Sequence, residues 1–175
     1  MYQLSIRQHI PASINDVWDF ISSPRNLQRI TPKDMAFEIT NEPIADTMYA
    51  GMIIMYRVRP LLGIRMQWVT EITHVQERAY FVDEQRIGPY ALWHHEHHVR
   101  EITGGVEMHD IITYRPPFGL LGRIANAIII KRQLDAIFAY RRQALIEVFG
   151  RFEGGEPVHT SLQPKTLIHK QVTLQ

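Results

Sequence analysis

The hydrophobic pattern of this chain changes period once, at Pro116-Pro117, and that switch limits the folds open to it. From Ala36 to Arg115 apolar and polar residues alternate in segment after segment, the two-residue period of strands buried on one face. The segments fall at about 36–42, 51–59, 65–75, 78–86, 91–102 and 106–115. Pro43, Pro60 to Gly63, Gly88-Pro89 and Gly104-Gly105 separate them, all turn chemistry. Gly104-Gly105 predicts a two-residue hairpin in which both glycines take positive φ. Connections this short imply antiparallel neighbours, because a parallel crossover needs a dozen residues or more. Beyond the two prolines Leu120, Ile124, Ile128, Leu134, Phe138, Leu145 and Phe149 recur at helical spacing, and no Pro or Gly interrupts Arg123 to Phe149. A helix of about 30 residues is about 45 Å long, enough to cross a whole sheet. Gly150 is its expected stop.

The segment before Ala36 adds a strand and two short helices. Leu4, Ile6 and Gln8 alternate with Ser5 and Arg7 over residues 2–10, and Pro11 ends the strand. Ser13 is placed to cap a helix, with Asp16 three residues on where its carboxylate can reach back to free amides. Val17, Phe20 and Ile21 form its apolar face, with Trp18 beside them. Pro24 opens a second short helix, Arg25 to Ile30, stopped at Thr31-Pro32. The order is therefore strand, two small helices, six strands and one long helix. Seven antiparallel strands need one face covered. A single long helix in the concave face of a bent sheet does this, and it leaves a cavity because the two cannot touch along their whole length. The expected class is α+β, a helix-grip fold: a seven-stranded curved antiparallel sheet with the helix over a cavity.

Composition narrows the rest. The 175 residues fit one domain, here 1–150, followed by a tail at 151–175 with one strand expected at Thr166 to Leu174. A net charge of +1 gives no electrostatic footprint for nucleic acid. The absence of cysteine excludes disulfides and thiolate metal sites. The N-terminal MYQLSIRQHIP has no basic segment followed by an apolar run, and the apolar stretch Ala125 to Ile130 is far short of the roughly 20 residues a bilayer requires. The expected location is the cytoplasm.

Ordered features along the chain carry a resemblance. They are Pro11-Ala12 with Val17-Trp18 and Phe20; Asn26-Leu27 and Ile30-Thr31-Pro32; Gly51 with Tyr56; Trp68 and Thr70; Phe81, Asp83 and Gln85; Gly88-Pro89-Tyr90, Trp93, His95 and His97; Met108, Asp110 and Tyr114; and Arg141 or Arg142. Over about residues 1–150 this succession resembles the START-like (SRPBCC) superfamily, which includes Bet v 1-type allergens, polyketide cyclases and lipid-transfer domains. It looks closest to a bacterial ligand-binding branch often described as cell-division-inhibitor-like. The resemblance implies a ligand cavity and supplies no ligand.

The most informative stretch is Trp93-His94-His95-Glu96-His97-His98-Val99. On a strand Trp93, His95, His97 and Val99 share one face and His94, Glu96 and His98 the other. The first set, more apolar at its ends, is expected toward the cavity and the second toward solvent. Phe81, Asp83 and Gln85 make a matching stripe, as do Met108, Asp110, Ile112 and Tyr114. A turn at Gly104-Gly105 sets His97 opposite or diagonal to Asp110 and His95 near Tyr114; a turn near Ile87 to Pro89 sets Asp83 beside Trp93. The expected ligand-binding set is Tyr56, Trp68, Asp83, Trp93, His95, His97, Asp110, Tyr114, Phe138 and Arg141.

Three readings of that stripe remain open. It can be a buried hydrogen-bond network in which each Asp orients a His. It can orient a mostly apolar guest. It can be chemistry, with His95 or His97 as general base and Asp110 or Asp83 holding the ring, as a cyclase, aromatase or hydratase would use it. His95-x-His97 with Glu101 resembles the first metal-ligand block of cupins. The second block is missing, since only His159 and His169 follow Asp110 and His109 faces the other way. No metal and no cofactor are assigned. No serine has a nucleophile-elbow context, and no Gly-rich phosphate loop follows a strand. Leu61 to Ile64 and Pro117 to Leu121 are apolar loops suited to a cavity entrance, a membrane surface or a homodimer interface. The leading expectation is a protein that binds a lipid, polyketide or aromatic metabolite.

Overall fold

A computed structural model of the chain describes residues 1–61, 63–154 and 161–164. The alternation predicts seven strands, and all seven form: β1 Tyr2–Ile10, β2 Glu38–Ile39, β3 Met52–Leu61, β4 Ile64–Gln76, β5 Tyr80–Ile87, β6 Leu92–Ile102 and β7 Gly105–Arg115. An eighth, β8 Ser161–Pro164, pairs with the outer edge of β1. The sheet is antiparallel throughout, in the order β2-β3-β4-β5-β6-β7-β1-β8. The tail is thus not wholly outside the domain: residues 161–164 extend the sheet, and Phe152 packs edge-on against His9 with ring centroids 5.1 Å apart. The strand expected at Thr166 to Leu174 lies outside the described residues.

Ser13 caps helix α1, Ile14–Ile21, as expected, accepting from the Asp16 amide at 3.2 Å. α1 turns Val17, Trp18, Phe20 and Ile21 inward, and Trp18 meets Phe81 of β5 edge-on at 6.2 Å. The second helix is shorter and tighter than Arg25 to Ile30: it is a 3-10 turn, Pro24–Gln28, followed by another at Lys33–Met35. The first turn ends at Gln28, closed by the Arg29 amide on the Asn26 carbonyl at 3.0 Å, before Thr31-Pro32 is reached.

The long C-terminal helix forms, with one departure. α2 Gly119–Ala125 runs through a π-turn, Asn126–Ile130, into α3 Lys131–Phe149. A π-turn inserts one residue per turn and rotates the rest of the helix by about 100°. The expected single apolar stripe is therefore split. Ile130, Leu134, Phe138 and Leu145 are buried against the sheet, whereas Leu120, Leu121, Ile124 and Ile128 are exposed. No helix among the described residues is long and apolar enough to cross a membrane.

The core has two parts along the helix. Trp18, Phe20, Ile54, Ile72, Phe81, Met108 and Leu145 belong to one cluster; Leu4, Met35, Trp68, Tyr90, Tyr114, Leu134 and Phe138 belong to the other. Register irregularities lie between Val58 and Leu61 in β3, and at Val69–Thr70 and Ile72–His74 in β4, the kind of feature that adds local twist to a strand.

The hairpin forms one residue earlier than Gly104-Gly105: Ile102 pairs with Gly105, so Thr103-Gly104 make the turn, His95 falls opposite Ile112 with Tyr114 opposite Trp93, and Gly104 takes positive φ, +84°. Gly105 opens β7, and its need is space: a Cβ there would meet the backbone carbonyl of Ile10 in β1. Gly105→Ala is therefore expected to cost about 2–3 kcal/mol, the range of overpacked sites. Gly51→Ala, at φ +90° in open space, should cost about 1 kcal/mol. Urea unfolding of the two variants checks the order; equal costs would contradict the close approach of β1 and β7.

Candidate functional site

The space between the two core clusters is a cavity of about 120 Å³. β3 contributes Ile54, Tyr56 and Val58, and β4 contributes Trp68, Thr70 and Ile72, each set one face of a strand. Phe81 and Asp83 come from β5, and Trp93, His95 and His97 from β6. α3 closes the top with Leu134, Ile137, Phe138 and Arg141. Aromatic rings make a continuous surface: Tyr56 stacks on Trp68 with centroids 6.0 Å apart, and Trp93 meets Trp68 edge-on at 5.5 Å.

One wall is polar, and its parts interlock. Pairing sets His97 of β6 opposite Asp110 of β7, and His95 of β6 opposite Asp83 of β5. His97 Nε2 lies 2.8 Å from Asp83 Oδ2, and His95 Nε2 lies 3.1 Å from Asp110 Oδ1; both contacts have hydrogen-bond geometry. The remaining nitrogens face the opposite carboxylates. His95 Nδ1 is 3.3 Å from Asp83 Oδ2, and His97 Nδ1 is 2.8 Å from Asp110 Oδ1, the latter without hydrogen-bond alignment. The two imidazoles lie over each other, centroids 3.7 Å apart, and Phe81 stacks on His97 at 4.2 Å. Arg141 Nη1 stands 3.6 Å from Asp110 Oδ1, and its guanidinium covers the Phe138 ring.

Burial is the largest influence on Asp83, Asp110 and His95, and the partners outweigh it. Burial alone would push the Asp83 carboxyl up; the charge of His95 and hydrogen bonds from His95 and His97 hold it well below the usual range. Asp110 is held down in the same way by His95, His97 and the Arg141 charge. Burial alone would lower His95, but Asp83 and Asp110 raise it above its ordinary value. The wall thus sets two carboxylates against a ring whose protonated form they favour and against a guanidinium. Beside it, Tyr56 is pushed up by burial and by Asp83, so its hydroxyl stays protonated; it shares a 2.9 Å hydrogen bond with Thr70.

Eight of the ten residues expected to bind ligand line the cavity: Tyr56, Trp68, Asp83, Trp93, His95, His97, Phe138 and Arg141. Two do not. Asp110 sits behind the imidazoles, and Tyr114 is wholly buried between Tyr2 and Tyr90. Alternation identifies their face correctly but cannot give depth. Asp83, expected beside Trp93, instead faces His95. The displacement follows from a four-residue loop, 88–91, that Gln85 closes: its side chain donates to the Tyr90 carbonyl at 2.7 Å and accepts from the Tyr90 amide at 3.1 Å. Gln85 is thus a loop clamp, not part of the polar wall. Thr70, Tyr90, Phe37 and Ile137 also line the cavity. Thr70 shares a strand face with Trp68, and that spacing is the signal by which the sequence could have disclosed it.

Asp83, His95 and His97 bring one ligand atom each within 4.8 Å of one another, close enough to hold a cation. Glu101, the third residue of the cupin-like spacing, is exposed. A cation there would have to compete with the contacts that hold both rings to Asp83 and Asp110. The outer face of β6 is solvated as expected, with His94 on Glu84 at 2.9 Å and His98 on Glu96 at 3.0 Å.

No protein-family model and no curated protein matches the chain. Solved structures do. A protein of Mycobacterium smegmatis is similar with a TM-score of 0.60 at 16% identity, over 83% of this chain and 92% of that one. One of Arthrobacter aurescens is similar with a TM-score of 0.63 at 13% identity, over 90% and 93%. One of Chromobacterium violaceum is similar with a TM-score of 0.63 at 9% identity, over 86% and 98%. At these identities the likeness is one of fold: the chain shares its sheet-rich architecture with a set of bacterial proteins.

Proposed function

We propose that the protein is a START-like domain that binds one small, largely apolar molecule in the cavity between the sheet and α3. The observation that carries this reading is a cavity walled by aromatic rings on most sides and by charge-paired polar groups on one. That is the chemistry of a site that excludes water and orients a guest. Its volume, about 120 Å³, narrows the guest. An apolar cavity of about 150 Å³ holds benzene, so a single-ring metabolite fits better than a lipid or an extended polyketide.

The alternative, a cyclase, aromatase or hydratase using a His–Asp pair, rests on the same four residues with less behind it. A general base needs a free acceptor nitrogen near its substrate. His95 turns a nitrogen toward each carboxylate, and these partners favour its protonated form; the His97 nitrogen that makes no hydrogen bond, Nδ1, faces Asp110 at 2.8 Å. The polar wall is better suited to holding a dipole still than to moving a proton.

Two outcomes check this. Purified protein should bind toluene or 2-phenylethanol by ligand-observed NMR. Ile137→Trp, which fills the cavity from the half-buried side of α3, should abolish that binding while changing stability by no more than about 3 kcal/mol. Failure of the wild-type protein to bind any ring-sized probe would sink the reading.

The second outcome is a pH dependence. The depressed carboxyls stabilise the fold above their unfolded value of 3.8, and that contribution fades as pH falls through their lower folded values. The raised imidazole of His95 contributes fully below its unfolded value of 6.5, and its share is lost as pH rises through the folded value above that. His95→Gln should therefore cost about 3–5 kcal/mol near pH 6, and the gap to wild type should narrow by pH 9. A gap independent of pH between 6 and 9 would show that His95 carries no extra proton when folded.

A further inference from the structure

The donors left over in the cavity wall say what the guest carries. Trp68 is 7% exposed and lines the cavity, and its Nε1–H has no hydrogen-bond partner. Arg141 also lines the cavity, with its side chain 13% exposed, and neither its Nε nor its Nη1 makes a hydrogen bond. Buried donors are almost always satisfied, and a buried guanidinium most of all. Nη1 reaches Asp110 only at 3.6 Å, too long to serve as a hydrogen bond. Asp110 is in any case already held by two imidazoles.

The acceptors tell the complementary story. The Asp83 and Asp110 carboxylates are engaged by His95 and His97, and the Tyr56 hydroxyl is engaged by Thr70. Tyr56 stacks on Trp68, Arg141 Nη1 stands 3.6 Å from Asp110, and Trp68 and Arg141 line the same cavity, so the spare donors belong to one enclosed space. The cavity wall has unpartnered donors to offer and few free acceptors. A planar guanidinium fork matches the two oxygens of a carboxylate, and an indole N–H can donate to the same group.

Resting on the binding function proposed above, we propose that the natural ligand is a small aromatic acid, with its ring among Tyr56, Trp68, Trp93 and Phe138 and its carboxylate on Arg141 and Trp68 Nε1. The carboxylate satisfies the stranded donors, and the already paired His–Asp quartet screens it from Asp83 and Asp110.

Calorimetric titration at pH 7 of wild-type protein with phenylacetate and its neutral isostere 2-phenylethanol tests this, with benzoate and benzyl alcohol as a second pair. The acid of each pair should bind at least about tenfold more tightly, the scale of a charge-assisted hydrogen-bond pair. Arg141→Gln should remove that preference and leave the alcohol within about threefold of its wild-type affinity. Trp68→Phe keeps the ring and deletes only the donor; it should weaken the acid selectively and serves if Arg141→Gln does not fold. In a nitrogen–proton spectrum the Trp68 indole signal, identified by its loss in Trp68→Phe, should move downfield with the acid. Equal affinity for acid and alcohol would overturn the carboxylate assignment and leave the binding function standing. Binding of the alcohol alone would do the same more strongly. Binding of neither would overturn both.

Discussion

Two carboxylates buried on the concave face of a sheet are intolerable unless they are neutralised where they stand. Asp83 and Asp110 are neutralised by imidazoles that alternate on the strand between them, so β5, β6 and β7 must pair in one register. A slip of one residue would send His95 and His97 to the solvent side and strand both acids. Removing one partner of such a buried pair costs about 3–5 kcal/mol, a large share of a domain's stability. The quartet therefore acts as a lock on three central strands as well as a wall. Arg141 of α3 approaches this wall, 3.6 Å from Asp110, without a hydrogen bond to it.

The cavity follows from geometry. Ile54, Tyr56 and Val58 of β3 and Trp68, Thr70 and Ile72 of β4 line the space that α3 closes, on strands with irregular register. The π-turn sets the phase of α3 so that Leu134, Phe138 and Arg141 face that space together. Aromatic side chains then narrow it to the volume of one ring.

Much of this architecture is legible in the sequence because its signals are periodic. Alternation on β6 and β7 identifies the inward face of Trp93, His95, His97, Asp110 and Tyr114, and the change of period at Pro116-Pro117 identifies the helix over the sheet. The hidden parts depend on contacts that no period encodes. The offset between β5 and β6 is set by Gln85 holding the loop at Tyr90. The π-turn is invisible because Leu120, Ile124 and Ile128 keep helical spacing with the buried stripe and yet face away from it. Asp110 and Tyr114 have the expected face but lie one layer too deep to touch the cavity. The pairing of Ser161–Pro164 with β1 joins distant segments, and its short polar sequence carries no pattern.

The function of the wall turns on its protonation state, because a fully donating imidazolium belongs to a binding site and a neutral ring with a free nitrogen belongs to a base. Long-range nitrogen–proton correlation spectra of the histidine rings at pH 7 read this directly. A binding site requires that both ring nitrogens of His95 are protonated, and that the signal survives when a cavity ligand is added. A neutral His95 with one unprotonated nitrogen would contradict this and turn the reading toward catalysis.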